Sequence, residues 1–329
     1  MVCGSRENRG HDPRIAGMVG GSMSLITLQK IEATGNDFLV VDTRHWDPEV
    51  LVAQAAQLCD RNKGFGADGL LLLGLPYELA AGADGLEQAH CSMRLINADG
   101  SDAEMSGNGV RALGLFAVSI GLGTDRVLRV DTAAGRRVLD LEIDSEGVLV
   151  YATVDMGAVA FDSESIPTTV QDPRGLSSVI DGVSYSGDAA GMGNPHWVLL
   201  VDDPAEARVV EHGPILEIDT RFPNRTNVEF ISVTPGESNA ITMRVWERGV
   251  GETLSCGTGA SAAAAVANRM GLVGDLVTVH VPGGDLLVEI RDGADAQDSQ
   301  DGAKLIRLGG PVAHVAEITL DLEDFASSL

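Results

Sequence analysis

The strongest constraint on the fold is an internal duplication. When the chain is shifted against itself by 150 residues, Met93-Arg94-Leu95 aligns with Met243-Arg244-Val245, and Ser106-Gly107 aligns with Cys256-Gly257. No insertion is needed between these stretches. Self-similarity on a long period, in the same order, predicts that the chain contains two homologous structural units.

A second pair of similar stretches supports the duplication at a slightly different shift. The sequence "GNDFLVVD" at 35–42 resembles "GNPHWVLLVD" at 193–202. We therefore predict an N-terminal half at residues 24–153 and a C-terminal half at 154–309. Residues 310–329 are predicted to form a final strand that returns to the first half.

Each half contains a Gly-rich loop followed by a predicted helix. The segments "GVRALGLFAVSI" at 109–120 and "GASAAAAVANR" at 259–269 are rich in helix-forming residues, and each is followed by a Gly-Leu pair suited to a C-terminal cap. Ser106 and Cys256 are therefore predicted to lie at helix N-termini.

The remaining patterns complete the fold class. Residues 130–143 ("VDTAAGRRVLDLEI") and 277–290 ("VTVHVPGGDLLVEI") are typical of hairpins, and 47–61 ("DPEVLVAQAAQLCDR") has helical spacing of apolar residues. We predict an α+β fold of two pseudo-symmetric domains, each a mixed or antiparallel sheet wrapped around a central helix.

Composition narrows the choice of partners and compartment. A formal net charge of -25, from 48 acidic and 23 basic residues, disfavours nucleic acid and membrane surfaces as partners. The four cysteines are irregularly spaced, so a reducing, cytoplasmic setting is expected rather than a disulfide or zinc framework. No apolar run approaches the roughly 18 residues of a membrane span. Polar, Gly-rich residues 1–22 are expected to be a disordered extension rather than a signal peptide.

A helix N-terminus would give Cys256 a distinctive environment. Its unpaired N–H groups and partial positive charge bind carboxylates, and they lower a thiol pKa from about 8.5 to about 3.5–7.5. Gly257 and Gly259 would leave backbone amides open to a small ligand. The alternative is a buried structural cysteine in a tight turn.

Residues near the two helix N-termini suggest an amino acid ligand. Glu247 and Arg248 end an apolar strand shortly before Cys256, and Asn97 occupies the position equivalent to Glu247. Two facing halves would place one reactive side chain on each side of a bound carbon, which suits proton removal on one face and delivery on the other. The sequence contains no dinucleotide, P-loop or metalloprotease motif, and its seven histidines are scattered, so no cofactor or metal is expected.

Four motifs resemble the diaminopimelate epimerase family: "NADGSDAEMSGNGVR", "GNPHWV", "FPNRTNVEF" and "ERGVGETLSCGTGA". The likeness covers about residues 24–329. It implies a pair of similar α/β domains with an active site between them and an isomerase that works without pyridoxal phosphate. The implied reaction is interconversion of LL- and meso-diaminopimelate for lysine and peptidoglycan synthesis, and the implied assembly is a homodimer.

The resemblance also implies roles for individual residues. The implied catalytic residues are Cys256, Ser106, Glu247 and His196. The implied substrate-binding residues are Asn36, Asn97, Gly107, Asn108, Asn194, Asn227, Glu247, Arg248, Gly257 and Thr258. Each asparagine could instead be a turn former, because Asn tolerates left-handed backbone conformations.

One position departs from the family pattern, because Ser106 stands where the family has a second cysteine. A serine hydroxyl remains un-ionised near neutral pH, so it can donate a proton but is a poor base. Three hypotheses follow. The chain is a diaminopimelate epimerase with Cys256 as base and Ser106 as donor, a one-base isomerase or dehydratase of the wider proline racemase-like superfamily, or a non-catalytic diamino acid binding homologue.

Overall fold

The computed structural model describes residues 25–45, 47–77, 88–103, 105–123, 126–293, 304–322 and 325. The expected extension at 1–22 lies outside these ranges. Residues 28–318 form one compact unit. A second, small unit includes Thr27 and Thr319, whose hydroxyl oxygens lie 3.4 Å apart.

The elements follow in chain order. The first half contains β1 (Leu25–Ala33), β2 (Asn36–Asp42), α1 (Glu49–Val52), α2 (Ala55–Cys59), β3 (Gly69–Gly74), β4 (Cys91–Asn97), β5 (Asp102–Ala103), α3 (Gly107–Ser119), β6 (Val127–Thr132), β7 (Gly135–Ile143) and β8 (Leu149–Val159). The second contains β9 (Leu176–Ile180), β10 (Val183–Gly191), β11 (Pro195–Leu200), α4 (Val209–Glu217), β12 (Asn227–Val233), β13 (Ala240–Glu247), β14 (Gly251–Thr253), α5 (Gly257–Arg269), β15 (Leu276–Val281), β16 (Gly284–Asp292), β17 (Lys304–Pro311) and, after it, β18 (Ala313–Asp321).

Strand pairing repeats in the two halves. In the first, β1–β2 and β3–β4 are antiparallel, β2–β3 and β4–β6 are parallel, and β6, β7 and β8 form antiparallel neighbours. In the second, β10, β11, β12, β13, β15 and β16 pair with the same directions in the same order. The predicted α+β fold with two pseudo-symmetric sheets is confirmed.

The pairing register also follows the two sequence shifts. Leu95 lies opposite Ala103 in β4–β5, and Val245 lies opposite Thr253 in β13–β14, a constant shift of 150 residues. Phe38 pairs with Gly69, and His196 occupies the same place opposite Asn227. Equivalent residues can therefore be compared one by one between the halves.

The two sheets join through β8 and β17. Strand β8 pairs with β7 through Leu149–Val154 and with β17 through Tyr151–Val159, antiparallel in each case. The boundary that we placed between residues 153 and 154 falls inside β8, which takes part in the ladders of both halves. Strand β18 pairs with β1.

The central helices supply the core. Each has 13 residues, and α5 is buried continuously from Gly259 to Ala267. Alanine at these positions combines high helix propensity with a small side chain, so surrounding strands can approach closely. One apolar cluster contains side chains of both helices, and a second cluster, with Trp197 and Phe230, lies on the other face of the second sheet with Val209 and Leu216 of α4.

Two local predictions have different outcomes. The hairpins at 130–143 and 277–290 are confirmed as β6–β7 and β15–β16. The single helix predicted at 47–61 is wrong, because Gln54 leaves the helical region (φ -106°, ψ 1°) and separates α1 from α2. The break lets both short helices bury apolar side chains, Leu51 in α1 and Leu58 in α2. No helix in the described ranges is long and apolar enough to cross a membrane.

Candidate active site

Ser106 and Cys256 are the N-cap residues of α3 and α5, as predicted. Both have extended backbone, with φ -141° at Ser106 and -130° at Cys256. The Gly109 N–H donates to Ser106 Oγ over 2.9 Å, and the Gly259 N–H donates to Cys256 Sγ over 3.4 Å. The hydroxyl and the thiol therefore occupy equivalent positions in the two halves.

Glycines allow the two helix N-termini to approach each other. A Cβ added at Gly257 would lie 3.4 Å from the Gly107 Cα and 3.0 Å from Leu308 Cδ2, and one at Gly107 would lie 2.8 Å from the same methyl. A side chain at either position would press against Leu308 of β17. The close approach brings both N-cap side chains to one pocket.

That pocket, named here the Cys256 pocket, has a volume of about 400 Å³. Its lining includes eight of the predicted site residues: Asn36, Asn97, Ser106, Gly107, Glu247, Cys256, Gly257 and Thr258. Asp68, Thr253 and Ser255 also line it, although the sequence did not single them out. Three acidic side chains (Asp68, Asp99 and Glu247), two amides and the two N-caps thus surround a space of the size that suits a small ligand.

A second pocket adjoins the first and is named here the Arg248 pocket. Its volume is about 540 Å³, and it is lined by Arg248 and Asn194 together with Asn97 and Thr258, which also line the Cys256 pocket. Arg248 and Arg137 place positive charge here beside one carboxyl, Asp102, whereas the charged side chains that line the Cys256 pocket are all acidic. The two spaces together suit an elongated molecule with polar groups at both ends.

The electrostatics of Cys256 correct the expected thiolate. Burial raises the pKa of this thiol well above its ordinary value, and the nearby Glu247 and Glu229 carboxyls raise it further. The thiol donates a hydrogen bond to Glu247, and burial also raises the Glu247 pKa. The N-terminus of α5 favours the thiolate, but burial and the two carboxyls outweigh it. The resting form of Cys256 is therefore the protonated thiol.

Thr253 fixes the position of the Glu247 side chain. Its hydroxyl donates a short hydrogen bond to Glu247 Oε1. Thr253 lies in β14, which pairs with β13 so that Glu247 faces Gly251 across a tight turn. The carboxyl is therefore held beside Cys256 by a neighbouring strand.

Asn36 and Asn108 belong to a network beneath the Cys256 pocket. The Asn108 amide donates to Asn36 Oδ1 over 2.6 Å and to Ser255 Oγ over 3.0 Å, and the Arg111 guanidinium donates to Asn108 Oδ1 over 2.6 Å. Asn36 in turn donates to Asp68 over 3.1 Å. Asn108 is buried and outside both pocket linings, so its side chain supports Asn36.

His196 and Asn227 also lie behind the pockets rather than in their linings. His196 is fully buried, with Nδ1 2.6 Å from Glu229 Oε1 and Nε2 2.8 Å from Asn194 Oδ1. Asn227 accepts a hydrogen bond from the Arg248 backbone N–H over 2.9 Å. These two side chains position Asn194 and Arg248, which do line the Arg248 pocket.

Comparisons with known proteins assign the chain to a family. A family model described as diaminopimelate epimerase matches residues 29–161 and 189–305. The chain belongs to this family. The diaminopimelate epimerase of Pelotomaculum thermopropionicum is 41% identical over 269 residues, which cover 80% of this chain and 91% of the relative. That of Desulfitobacterium hafniense is 39% identical over 304 residues, 91% of this chain and 99% of the relative.

A solved structure supports the fold at a greater evolutionary distance. The hydroxyproline epimerase of Agrobacterium vitis, with bound trans-4-hydroxy-L-proline, matches with a TM-score of 0.63 and 17% identity, covering 92% of this chain and 94% of that one. Because the diaminopimelate epimerases are much more similar in sequence, the predicted alternatives of a one-base isomerase or dehydratase and a non-catalytic binding homologue are not favoured.

Residues to which the sequence assigned no role also shape this site. Glu229 and Arg111 lie behind the pockets, and Thr253 and Asp68 line the Cys256 pocket. For Glu229 the sequence carried a signal, a single charged residue within the mostly apolar strand "VEFISV". Within the described ranges, no three His, Cys, Asp or Glu side chains are grouped as metal ligands.

Proposed function

We propose that this member of the diaminopimelate epimerase family interconverts LL- and meso-diaminopimelate by moving a proton from one face of an α-carbon to the other. The observation that carries the proposal is the convergence of two N-cap side chains, Ser106 and Cys256, on one pocket. A base on one side of a carbon and an acid on the other are the minimum requirement for inversion without a cofactor.

The reacting end of the substrate fits the charges of the Cys256 pocket. Its ammonium group would pair with the Glu247 carboxylate, which Thr253 holds in place. Its carboxylate would accept hydrogen bonds from the leading N–H groups of α3 and α5, at Gly107-Asn108 and Gly257-Thr258, where the helix dipoles favour negative charge. These N–H groups would also stabilise the negative charge that develops when the α-proton leaves.

The ammonium group would also prepare Cys256 for reaction. The Glu247 carboxylate raises the pKa of the thiol, and a bound cation beside that carboxylate would cancel much of its effect. The thiol proton then passes to solvent and leaves a thiolate at the N-terminus of α5. Substrate binding and formation of the base are thereby linked.

The chemistry consists of two proton transfers. The Cys256 thiolate takes the α-proton, so that the C–H bond breaks, an S–H bond forms, and the electron pair remains on the substrate. Ser106, directly or through a water molecule, then donates its proton to the opposite face, and the C–H bond of the other isomer forms. The Cys256 proton returns to Ser106 through solvent, which restores both groups.

The far end of the substrate would occupy the Arg248 pocket. Diaminopimelate has a second amino acid group, and Arg248 and Asn194 offer a cation and an amide to its carboxylate. Asn97 and Thr258 line both pockets and lie where the connecting chain would pass. This arrangement favours a substrate with two polar ends over a small cyclic amino acid.

Deuterium wash-in tests the reaction. LL-diaminopimelate incubated in D₂O should yield the meso isomer with deuterium at the inverted carbon, and Cys256→Ala should abolish both inversion and exchange. Absence of exchange with pure enzyme would rule out epimerisation. Exchange without any inversion would instead indicate one-base chemistry.

The difference between thiol and hydroxyl predicts an asymmetry in the same experiment. When Cys256 takes the proton, slow donation by Ser106 gives the thiol time to exchange with solvent and return deuterium to the same face. When Ser106, directly or through water, removes the α-proton, the more acidic Cys256 thiol on the other face protonates the carbanion at once. Exchange without inversion is therefore expected for only one of the two isomers, and equal exchange for both would contradict these roles.

Ser106→Cys provides a complementary test. A thiol at this N-cap can accept a hydrogen bond from the Gly109 N–H, as Cys256 accepts one from the Gly259 N–H. We expect the epimerisation rate to rise by about two orders of magnitude or more, because general acid–base catalysis by a well-matched group contributes about that much. An unchanged rate would show that the hydroxyl is not the limiting group.

We also propose, from the family resemblance, that the chain forms a homodimer and acts in the cytoplasm. Cys59, Cys91 and Cys256 are free thiols, which is consistent with a reducing compartment. Sedimentation equilibrium at micromolar concentration would test the assembly. A monomer at all concentrations that support activity would contradict the dimer.

A further inference from the structure

Glu229 is a buried carboxyl with an incomplete set of hydrogen bonds. It lies on β12 with no exposed surface, and burial raises its pKa, although the neighbouring His196 acts in the opposite direction. Its Oε1 is 2.6 Å from His196 Nδ1, whereas Oε2 has no hydrogen-bond partner within the described part of the chain. A buried carboxyl of this kind is costly, so its presence calls for a reason beyond packing.

The fold does not require a carboxyl at this place. Glu229 lies opposite Val198, and the equivalent residue of the first half, opposite Val40, is Leu71. A Cβ added at Gly259 would lie 2.8 Å from Glu229 Oε1, and one added at the equivalent Gly109 would lie 3.4 Å from Leu71 Cδ2. The same framework thus accepts a leucine below the hydroxyl N-cap.

The partner of Glu229 follows the same asymmetry. His196 is the equivalent of Phe38, because each lies at the same register position in its sheet. The polar pair His196–Glu229 in the thiol half therefore replaces the apolar pair Phe38–Leu71 in the hydroxyl half. The half with a thiol at its N-cap thus has a polar pair behind it, and the half with a hydroxyl has an apolar pair.

The hydrogen bonds of His196 show which of its ring nitrogens is the donor to Asn194. Asn194 Oδ1 can only accept, so His196 Nε2 carries a hydrogen and donates it. One further proton lies between Nδ1 and Glu229 Oε1, and the pair is neutral whichever atom holds it. With its oxygen engaged by His196, the Asn194 amide leaves its NH₂ group for a ligand of the Arg248 pocket, which Asn194 lines.

We propose that Glu229 is a positioning residue: it fixes His196 as a donor from Nε2 and thereby orients the Asn194 amide toward the substrate. The inference rests on the proposed function for its kinetic consequences. Its structural step, the state of the His196 ring, can be measured without substrate. The chain of contacts runs from a buried carboxyl through a buried imidazole to an amide in the pocket wall.

The decisive variant is Glu229→Leu, which copies the residue of the first half. Without the carboxyl, Nδ1 loses its partner and the His196 ring is free to donate from either nitrogen. We expect KM for diaminopimelate to rise about tenfold or more with a smaller change in kcat, and ¹⁵N NMR of the His196 ring to show loss of the single Nε2–H form. His196→Phe identifies the ring signals.

Glu229→Gln provides rescue by a conservative change. Its amide can donate to Nδ1 and keep the hydrogen on Nε2, so KM should stay within about threefold of the wild-type value. If the leucine variant does not fold, the double variant His196→Phe/Glu229→Leu supplies the apolar pair of the first half, and it should show the same rise in KM. Tyr185→Phe is the control, because Tyr185 belongs to the second apolar cluster, with Trp197, and the change removes its buried hydrogen bond with His212.

Two results would overturn the proposal. One is a leucine variant with wild-type KM and an unchanged His196 ring. The other is a glutamine variant as impaired as the leucine variant, because a negative charge rather than orientation would then be the relevant property. If wild-type protein exchanges no α-proton at all, the proposed function fails, and the ring measurement still decides the role of Glu229.

Discussion

At the scale of single residues, the protonation of Cys256 depends on its carboxylate neighbours. Burial and the Glu247 and Glu229 carboxyls raise the pKa of the thiol above its ordinary value. Removing one of those negative charges makes ionisation easier, so Glu247→Gln should lower the thiol pKa. Glutamine keeps the size of the side chain and can still accept from Thr253.

The measurement is the pH dependence of iodoacetamide alkylation without substrate, because only the thiolate reacts. We expect the midpoint for Cys256 to fall by about 1 pH unit or more in Glu247→Gln. Cys59 and Cys91 are buried with pKa values raised to about 12, so they contribute little below that pH. A midpoint that stays in place or moves upward would contradict the assigned charge interaction, and Cys256→Ser gives the background rate.

Some of these residues could be predicted from the sequence and others could not. Ser106 and Cys256 were predictable, because a Gly-rich loop before an Ala-rich segment marks a helix N-terminus. The high pKa of Cys256 was not, because it depends first on burial of the thiol and then on the Glu247 and Glu229 carboxyls, which tertiary packing brings close to it. Burial by distant parts of the chain raises the thiol pKa more than the helix N-terminus lowers it. The local sequence pattern reveals only the effect of the helix.

At the scale of helices and strands, the two halves differ in what surrounds the third residue of each central helix. Gly109 and Gly259 occupy equivalent positions, and alanine at either would favour the helix by about 1 kcal/mol. At Gly109 the new methyl would meet Ser106 Cβ at 3.1 Å and Leu71 Cδ2 at 3.4 Å. At Gly259 it would lie 2.8 Å from the buried Glu229 carboxyl, which must then move.

We therefore predict that Gly259→Ala lowers kcat/KM by about tenfold or more, because displacement of a supporting group by an ångström is costly in a preorganised site. Gly109→Ala should retain most activity. Comparison of the two variants by steady-state kinetics and thermal melting checks this. Equal losses of activity in both would show that the contact with Glu229 is not the cause.

Arg111 of α3 links elements from both halves. Its fully buried guanidinium donates to Thr34 Oγ1 and to the Pro311 carbonyl, each over 3.1 Å, and to Asn108 Oδ1. Burial lowers its pKa to about 10, so it remains charged at neutral pH. A lysine ammonium keeps the charge but cannot reach three acceptors in the same fixed geometry.

Arg111→Lys should therefore lower the free energy of unfolding by about 2–3 kcal/mol, measured by urea denaturation. Arg174→Lys, at an exposed arginine beside Asp172, is the control and should change stability by less than about 1 kcal/mol. A loss at Arg111 no larger than that at Arg174 would show that the three contacts contribute little.

The elements were mostly predictable, since local composition determines where helices and turns begin. In the hairpin turn at Thr34-Gly35 both residues have positive φ, which glycine tolerates at Gly35 but which the β-branched Thr34 rarely adopts. The break between α1 and α2 had no comparable signal, because Ala53 and Gln54 both favour helices. Both Leu51 and Leu58 are buried, and burial is a tertiary effect that local composition does not contain.

At the scale of the whole molecule, the duplication predicted the two sheets but not how they join. Strand β17 pairs with β8 over Lys304–Pro311, and no local feature of either strand indicates a partner in the other half. The joint matters for stability, because a single apolar cluster contains buried side chains of α3, α5, β8 and β17. Residues 28–318 accordingly form one compact unit despite the internal repeat.

We predict that residues 28–318 unfold in one cooperative transition. Unfolding of the second half alone would break the hydrogen bonds between β8 and β17 and expose the shared apolar cluster. An intermediate with one intact half would therefore lose much of its own stability. Differential scanning calorimetry of the full chain should give a van't Hoff enthalpy close to the calorimetric enthalpy. The same melting temperature should be found from far-ultraviolet circular dichroism and from the accessibility of Cys256 to a thiol reagent.

Two separable calorimetric peaks, or exposure of Cys256 well below the main transition, would contradict this coupling. Arg111→Lys extends the test, because the Arg111 guanidinium donates to both Thr34 and Pro311, which lie in elements on opposite sides of the joint. If the halves are coupled, this variant should melt earlier but still in one step. If they are independent, it should separate the transition into two, with the thiol half melting at its own temperature.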